Sequence, residues 1–237
     1  MRVGQSYMAT LILITVFSWM NTGKILRGAD EEMTTFQLVF LKRNPDWKAR
    51  SATEAQRIEA THQEFFEGLI QSDQVLISGP VTDDSDLRAI IVSSATTMQQ
   101  AQSIVERDPA VKAGMLRAEI YAWYAGTGIM KKPKVVTPKE TYFFGVLVRG
   151  PEWTPEITPE VKKLQEAHMA NIRRMGGTGK LVIAGPLENA GQLRGIYVFK
   201  LNSLQEAKSW SETDPAVKAG RFAIEFHPWL LAQGSLP

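Results

Sequence analysis

Asp108-Pro109-Ala110-Val111-Lys112-Ala113-Gly114 returns letter for letter as Asp214-Pro215-Ala216-Val217-Lys218-Ala219-Gly220, 106 residues further on. At that offset residues 36–126 run against 142–232 without a gap, at roughly a quarter identity, which is the mark of an internal repeat. The shared positions are spread along both copies: Gly79-Pro80 matches Gly185-Pro186, Arg88 matches Arg194, Trp47 matches Trp153, and Trp123 matches Trp229. His62 and His168 also coincide, in a chain that holds only three histidines. One unit of about 90 residues has been duplicated head to tail. Two such small units bury their apolar surface better together than apart.

Working outward from the repeat, each copy reads as the same run of elements. Residues 36–41 and 142–148 are short apolar, β-prone runs and predict a first strand. Ile58, Phe65, Phe66, Leu69 and Ile70, and in the second copy Val161, Leu164, Ile172 and Met175, recur at helical spacing and predict a helix with one inward stripe. Pro159 suits the first turn of the second of these helices. Residues 75–78 and 181–184 predict a second strand, which the following Gly-Pro is expected to stop, since proline cannot donate to a ladder. A third strand follows at 87–92 and 193–201. The second copy leads into it through Glu188-Asn189-Ala190-Gly191, which has turn chemistry. A second helix is predicted at 97–107 and 203–213, where Ser203 and Glu206 form a capping-box signal, and a fourth strand at 115–124 and 221–231.

The order β-α-β-β-α-β is the split βαβ, or ferredoxin-like, unit. Its helices cover one sheet face and leave the other bare, and a tandem copy covers it by packing sheet on sheet, with helices outside. The expected class is therefore α+β: two tandem ferredoxin-like βαββαβ repeats closed within one chain. The corresponding division is 1–32 as a signal-like or anchor segment, 33–126 as the first repeat, 127–140 as a linker and 141–237 as the second repeat.

Composition narrows the function. A net charge of +2 with lysines grouped only at Lys131, Lys132, Lys134 and Lys139, in the proline-containing connector, gives no basic stripe on a folded element, so no nucleic-acid partner is expected. The chain has no cysteine, which excludes disulfides, thiolate catalysis and cysteine-ligated zinc. His62-x-Glu64 is not reproduced at His168 and Ala170, so no metal site is expected, and Gly176-Gly177-Thr178-Gly179-Lys180 lacks the P-loop spacing and precedes a strand. At the N-terminus Arg2 precedes an apolar run of about 13 residues, shorter than a bilayer span and closer to a signal-peptide core. Export or anchoring is the first expectation. A cytoplasmic protein whose translation starts at Met33 is the alternative.

Both repeated histidines fall on the apolar stripe of the first helix and point inward. One reading is a hydrogen-bonded core histidine; the other is a general acid or base beside a cavity. Asp108 and Asp214 each precede a proline, as an N-cap does before a proline at N1, and a carboxylate there could also meet the imidazole and fix its tautomer. Arg88 and Arg194, on the third strand, could clamp a carboxylate or phenolate, and Gly79-Pro80 and Gly185-Pro186 could let a ligand approach the backbone. The four repeated tryptophans read as packing, with a cavity wall as the lesser reading. His227 stands opposite Tyr121 and so lies outside the repeated set.

This constellation resembles the YCII-related (YciI-like) family. The second copy carries it through His168, Lys180-Leu181-Val182-Ile183-Ala184-Gly185-Pro186-Leu187, Gly191, the run from Asp214 to Gly220, and His227-Pro228-Trp229. The first copy keeps His62, Gly79-Pro80 and the run from Asp108 to Gly114, but departs at Ser72-Asp73, at Ser85 opposite Gly191, and at Tyr121-Ala122. The resemblance implies a dimeric α/β-barrel supplied within one chain and a His-Asp pair per unit, His62 with Asp108 and His168 with Asp214. It also implies, by analogy, proton-transfer elimination or isomerisation on small ring compounds without a cofactor, with a small molecule as the ligand and the intrachain pseudo-dimer as the assembly. A non-catalytic binding or structural module is the rival expectation.

Overall fold

The computed structural model describes residues 32–131 and 139–237. The signal-like segment up to residue 31, and Lys132 and Lys134 of the connector, lie outside the described residues. In the first repeat the elements are β1 (Met33–Arg43), α1 (Ala52–Gln71), β2 (Val75–Pro80), β3 (Leu87–Ser93), α2 (Met98–Val105), α3 (Pro109–Lys112) and β4 (Leu116–Gly126). The second repeats the order with β5 (Lys139–Arg149), α4 (Pro159–Gly177), β6 (Leu181–Glu188), β7 (Leu193–Phe199), α5 (Leu204–Ser211), α6 (Pro215–Lys218) and β8 (Phe222–Ala232).

The long helices begin where the local chemistry says they should. Ser51, Thr97, Thr158 and Ser203 each sit in extended backbone and accept from the backbone N–H three residues on, satisfying a donor that the first turn leaves orphaned. The short α3 and α6 start at Asp108 and Asp214, whose side chains accept from the backbone N–H two residues on, with proline following.

The strands run in the order β2-β3-β1-β4-β6-β7-β5-β8. Within each repeat all pairings are antiparallel, and β1–β4 and β5–β8 are the longest ladders. Two seams join the repeats. At one, Ala122 and Trp123 of β4 pair with Glu188 and Leu187 of β6. At the other, Val81 bridges Trp229, and the Thr82 N–H donates to the Pro228 carbonyl at 3.1 Å. The eight strands thereby close into a barrel with a pseudo-twofold relation between the halves.

Strand alternation then sorts the side chains into two environments. Leu38, Phe40, Ile90, Val92, Trp123, Phe144, Val146, Ile196, Val198 and Trp229 face inward and form one core shared by both repeats. Phe40 meets Phe144 edge-on at 5.9 Å and Phe144 meets Trp229 at 5.3 Å, so the barrel interior is filled by rings from both halves. The alternate residues face outward: Val39, Leu41 and Ile91 pack under Ile58, Phe66 and Leu69 of α1, and Phe143, Leu147, Tyr197 and Phe199 under Ile172 and Met175 of α4.

The Gly-Pro pairs correct one expectation. They do not stop their strands: β2 pairs with β3 through Pro80 opposite Ala89, and β6 pairs with β7 through Pro186 opposite Gly195 and continues to Glu188. The Val81 N–H donates to Arg88 on β3, so the neighbouring Pro80 nitrogen faces the other way, toward the seam, where the ladder needs no donor from it.

Candidate active site

The paired imidazoles lie outside the barrel, in the layer between the helices and the sheet. His168 projects from α4 onto β7 and β8, with its ring stacked on Tyr197 at 6.2 Å and edge-on to Phe222 at 5.4 Å. Its Nδ1 lies 2.7 Å from Oδ2 of Asp214. Asp214 is fully buried and does two things at once. Oδ1 accepts from the Ala216 N–H at 2.9 Å and so caps α6, while Oδ2 takes the imidazole and also accepts from the Tyr197 hydroxyl at 2.5 Å. The N-cap reading and the imidazole-partner reading of this aspartate therefore hold together.

Electrostatics fix the protons. Burial pushes the Asp214 carboxyl up, but the hydrogen bond and charge of His168, the Tyr197 hydroxyl and the Ala216 N–H outweigh it, and the net shift is down. Burial, together with the charge and hydrogen bond of Asp214, drives the Tyr197 phenol well above its ordinary range, so it stays a donor. An ionised carboxylate only accepts, so Nδ1 of His168 carries a hydrogen and Nε2 is the nitrogen left to take or give a proton. Nε2 makes no hydrogen bond among the described residues, and 8% of the side chain reaches solvent.

The first repeat builds a looser version. His62 of α1 places Nδ1 at 2.9 Å from both oxygens of the buried Asp108, and Oδ1 also caps α3 through the Ala110 N–H at 2.9 Å. Its ring is edge-on to Phe66 at 5.1 Å, and 18% of the side chain is exposed. The position of Tyr197 is taken by Ile91, so among the described residues no hydroxyl backs this pair.

The other expected residues are placed elsewhere. Arg88 donates to the backbone carbonyls of Asp83 and Ser85 and holds the loop before β3. Arg194 donates to the Leu193 carbonyl at 2.8 Å and lies with Arg149 and Arg221 around Trp153. Gly79 and Gly185 serve the seams: a Cβ on Gly79 would come within 2.1 Å of the Leu230 carbonyl oxygen, and one on Gly185 within 2.0 Å of that of Tyr124. The close approach these glycines permit is made by the opposite repeat, with Pro80 and Pro186 beside them.

Tyr197 is a site residue that sequence reading misses, because the first copy offers no tyrosine to match it. His227 is another. It crosses a seam, with Nδ1 at 2.8 Å from Asp83 Oδ2, and Ser85 donates to Asp83 Oδ1 at 2.5 Å. Burial raises the Asp83 carboxyl, and the bonds from Ser85 and His227 more than reverse this. Ser85 and Asp83 both address the same Nδ1, with Ser85 Oγ 3.4 Å away, so the trio is not a relay that could activate the hydroxyl through Nε2. Among the described residues no group of three or more imidazole or acidic side chains converges as metal ligands would.

Fold and geometry together define a single-chain α/β-barrel of tandem ferredoxin-like halves, each with an imidazole held by the aspartate that caps its short helix. The chain belongs to the family of the YCII-related domain, which matches it twice, over residues 36–124 and 148–229. Comparison with curated proteins finds no match. Solved structures with the same fold include a candidate chlorite dismutase (TM-score 0.54, 12% identity, 83% of this chain and 95% of that one). They also include a heme-binding protein from Thermus thermophilus (TM-score 0.52, 15% identity, 88% of this chain and 97% of that one). A chlorite dismutase from Candidatus Nitrospira defluvii matches likewise (TM-score 0.52, 12% identity, 85% of this chain and 92% of that one). At such identities the likeness is one of fold.

Proposed function

We propose that the protein transfers protons on a small, compact molecule, as a lyase or isomerase working without a cofactor, with the second repeat as its main site. His168 Nε2 is the acid-base atom, Asp214 holds the ring in the Nδ1–H tautomer and balances the imidazolium once formed, and Tyr197 fixes the carboxylate. His62 and Asp108 form the weaker counterpart. The observation that carries this reading is the 2.7 Å contact from Nδ1 to a carboxylate that also accepts from Tyr197 and Ala216, with the opposite nitrogen making no hydrogen bond among the described residues. General acid-base help of this kind contributes about 10² to 10⁴ in rate. Substrate would reach Nε2 from the helix side, because the barrel interior is occupied by side chains.

All three of the fold relatives described above are named for heme or for chlorite dismutation. A heme does not fit the residues here. A slot for it beside His168, between α4 and the second sheet, would have to open where Ile172, Met175, Leu181, Tyr197 and Phe199 are buried against one another. One observation favours a second reading, a non-catalytic module: Tyr197 and Phe222 cover much of the His168 ring, as they would a structural pin between α4 and the cap of α6.

The test is exchange of carbon-bound hydrogen in deuterated water, followed by proton NMR over a panel of small lactones and cyclic enones. Wild type should exchange at least one of them, and His168→Ala should lose it while keeping its fold. Full exchange in both His62→Ala and His168→Ala would refute the proposal, and a His168→Ala variant that only melts earlier, with no compound turned over by wild type, would favour the structural pin.

A further inference from the structure

Three guanidinium groups converge on one indole in the second repeat without a carboxylate among them. Arg149, at the end of β5, stacks over Trp153 at 3.8 Å; Arg194, at the start of β7, lies 5.7 Å from the same ring centre, and Arg221, just ahead of β8, lies 5.8 Å from it. Stacking on the ring is enough to hold Arg149, while the other two sit near the outer limit of a cation–π contact, about 6 Å. None of the three makes an ion pair with a described residue. The nearest acid in sequence, Glu152, is turned to the Gly220 backbone, its Cγ 3.0 Å from where a Cβ would stand there.

Their donors are largely unspent. Each guanidinium carries five N–H donors. Among the described residues Arg194 uses one on Leu193, Arg221 one on the Thr154 carbonyl at 3.1 Å, and Arg149 none. The Arg149 Nε is buried and has no partner. A buried donor left without a partner is costly, and like charges held together repel. Burial, and then the charges of Arg149 and Arg221, pull the Arg194 pKa down, which places the three close enough to repel one another. A bound anion would relieve both costs, because guanidinium forks pair with carboxylate or phosphate oxygens in two-point fashion.

We infer that Arg149, Arg194 and Arg221, assembled around Trp153, form a binding site for a small polyanion whose charge lies on phosphate or carboxylate oxygens. The site is a property of the second repeat alone. The matching positions in the first are Arg43, Arg88, Met115 and Trp47, and Arg88 is engaged with the loop carbonyls of Asp83 and Ser85. The inference goes beyond the proton-transfer reading and does not depend on it, since none of the three guanidinium groups bonds His168 or Asp214 among the described residues.

Calorimetric titration of the full chain with pyrophosphate in one arm and citrate in another, at ionic strength held constant with sodium chloride, tests it. Saturable binding in either arm is expected, the stronger arm naming the ligand's oxyanion. Binding should weaken at least about tenfold in Arg149→Gln and in Arg221→Met, each of which removes charge-assisted hydrogen bonds. Arg221→Met installs the residue the first repeat already folds with, and His168→Ala should bind as wild type does. No saturable heat in either arm with wild type, or undiminished affinity in both arginine variants, would overturn the site.

Discussion

Replacing Asp214 by asparagine separates the proton-transfer reading from a merely structural one, because it changes one atom's hydrogen-bonding sense and little else. The retained Oδ1 still caps α6 through Ala216, while Oδ2, which takes His168 at 2.7 Å and Tyr197 at 2.5 Å, becomes an amide nitrogen that donates. Two donors then face a third, and the simplest relief is for His168 to move its hydrogen to Nε2 and accept at Nδ1. Each bond to an ionised acceptor is worth roughly 1.5–3 kcal/mol and a neutral replacement about 0.5–1.5. The variant should therefore lose about 2–4 kcal/mol, or roughly 5–15 °C in Tm at 2–4 °C per kcal/mol. Asp214→Ala should lose about 1 kcal/mol more, since the cap goes too. Long-range proton–nitrogen NMR reads the tautomer directly, and with three histidines in the chain the assignment needs only His168→Ala. Wild type should show His168 with hydrogen on Nδ1, and Asp214→Asn with hydrogen on Nε2 and no hydrogen exchange on any substrate. A wild-type His168 carrying its hydrogen on Nε2 at neutral pH, or a variant with unchanged tautomer and Tm, would refute the reasoning.

At the seams, Gly79→Ala and Gly185→Ala each put a Cβ about 2 Å from a carbonyl oxygen of the opposite repeat and should lower the urea midpoint severely. Gly68→Ala, inside α1 with nothing within 4 Å of the new atom, should raise it, through a gain in stability of up to about 1 kcal/mol. In acid, Asp214 and Asp83 have folded pKa values below the ordinary range, so the unfolded chain takes up protons first. Their contribution is complete above pH about 4 and is lost as pH falls through the folded values, which Tm against pH should show, with a shallower loss in Asp214→Asn. In alkali the sign reverses: Tyr121, Tyr142 and Tyr197 are raised by burial and by neighbouring carboxylates, so three of the five tyrosines should ionise late in an absorbance titration. The stability they supply is intact below pH about 10 and falls as pH rises above it.

Much of the architecture is legible because duplication doubles the signal. A strand or helix inferred weakly in one copy is supported by the other, and the strand order follows from the chirality and adjacency rules of the split βαβ unit. The Gly-Pro pairs read as strand stops, and do not act as such, because a proline's effect depends on which neighbour its nitrogen faces. At β2 that neighbour is the seam, supplied by a strand from the other repeat. The same logic explains what the sequence hides at the site. Comparing copies reveals what both halves need, and it passes over Tyr197 and Arg221, whose counterparts are Ile91 and Met115. It also sets aside His227, whose partner Asp83 lies 144 residues away and belongs to no local motif.

The departures between the copies point in one direction. The first repeat keeps the residues that hold a barrel: the seam glycine, the capping aspartate, the inward tryptophan. Its imidazole is held by a carboxylate with no tyrosine behind it and is more exposed, 18% against 8% for the side chain. The second repeat keeps the same frame and adds to it, with Tyr197 beneath the His-Asp pair and Arg221 completing the charge around Trp153. Each addition costs stability on its own, through a buried hydroxyl that needs a partner in one case and mutual repulsion in the other. A half-barrel of about 90 residues has little stability to spare. Fusion to a second copy supplies the missing burial through the shared aromatic interior, so one half can carry polar groups that a lone unit could hold only at the expense of its fold.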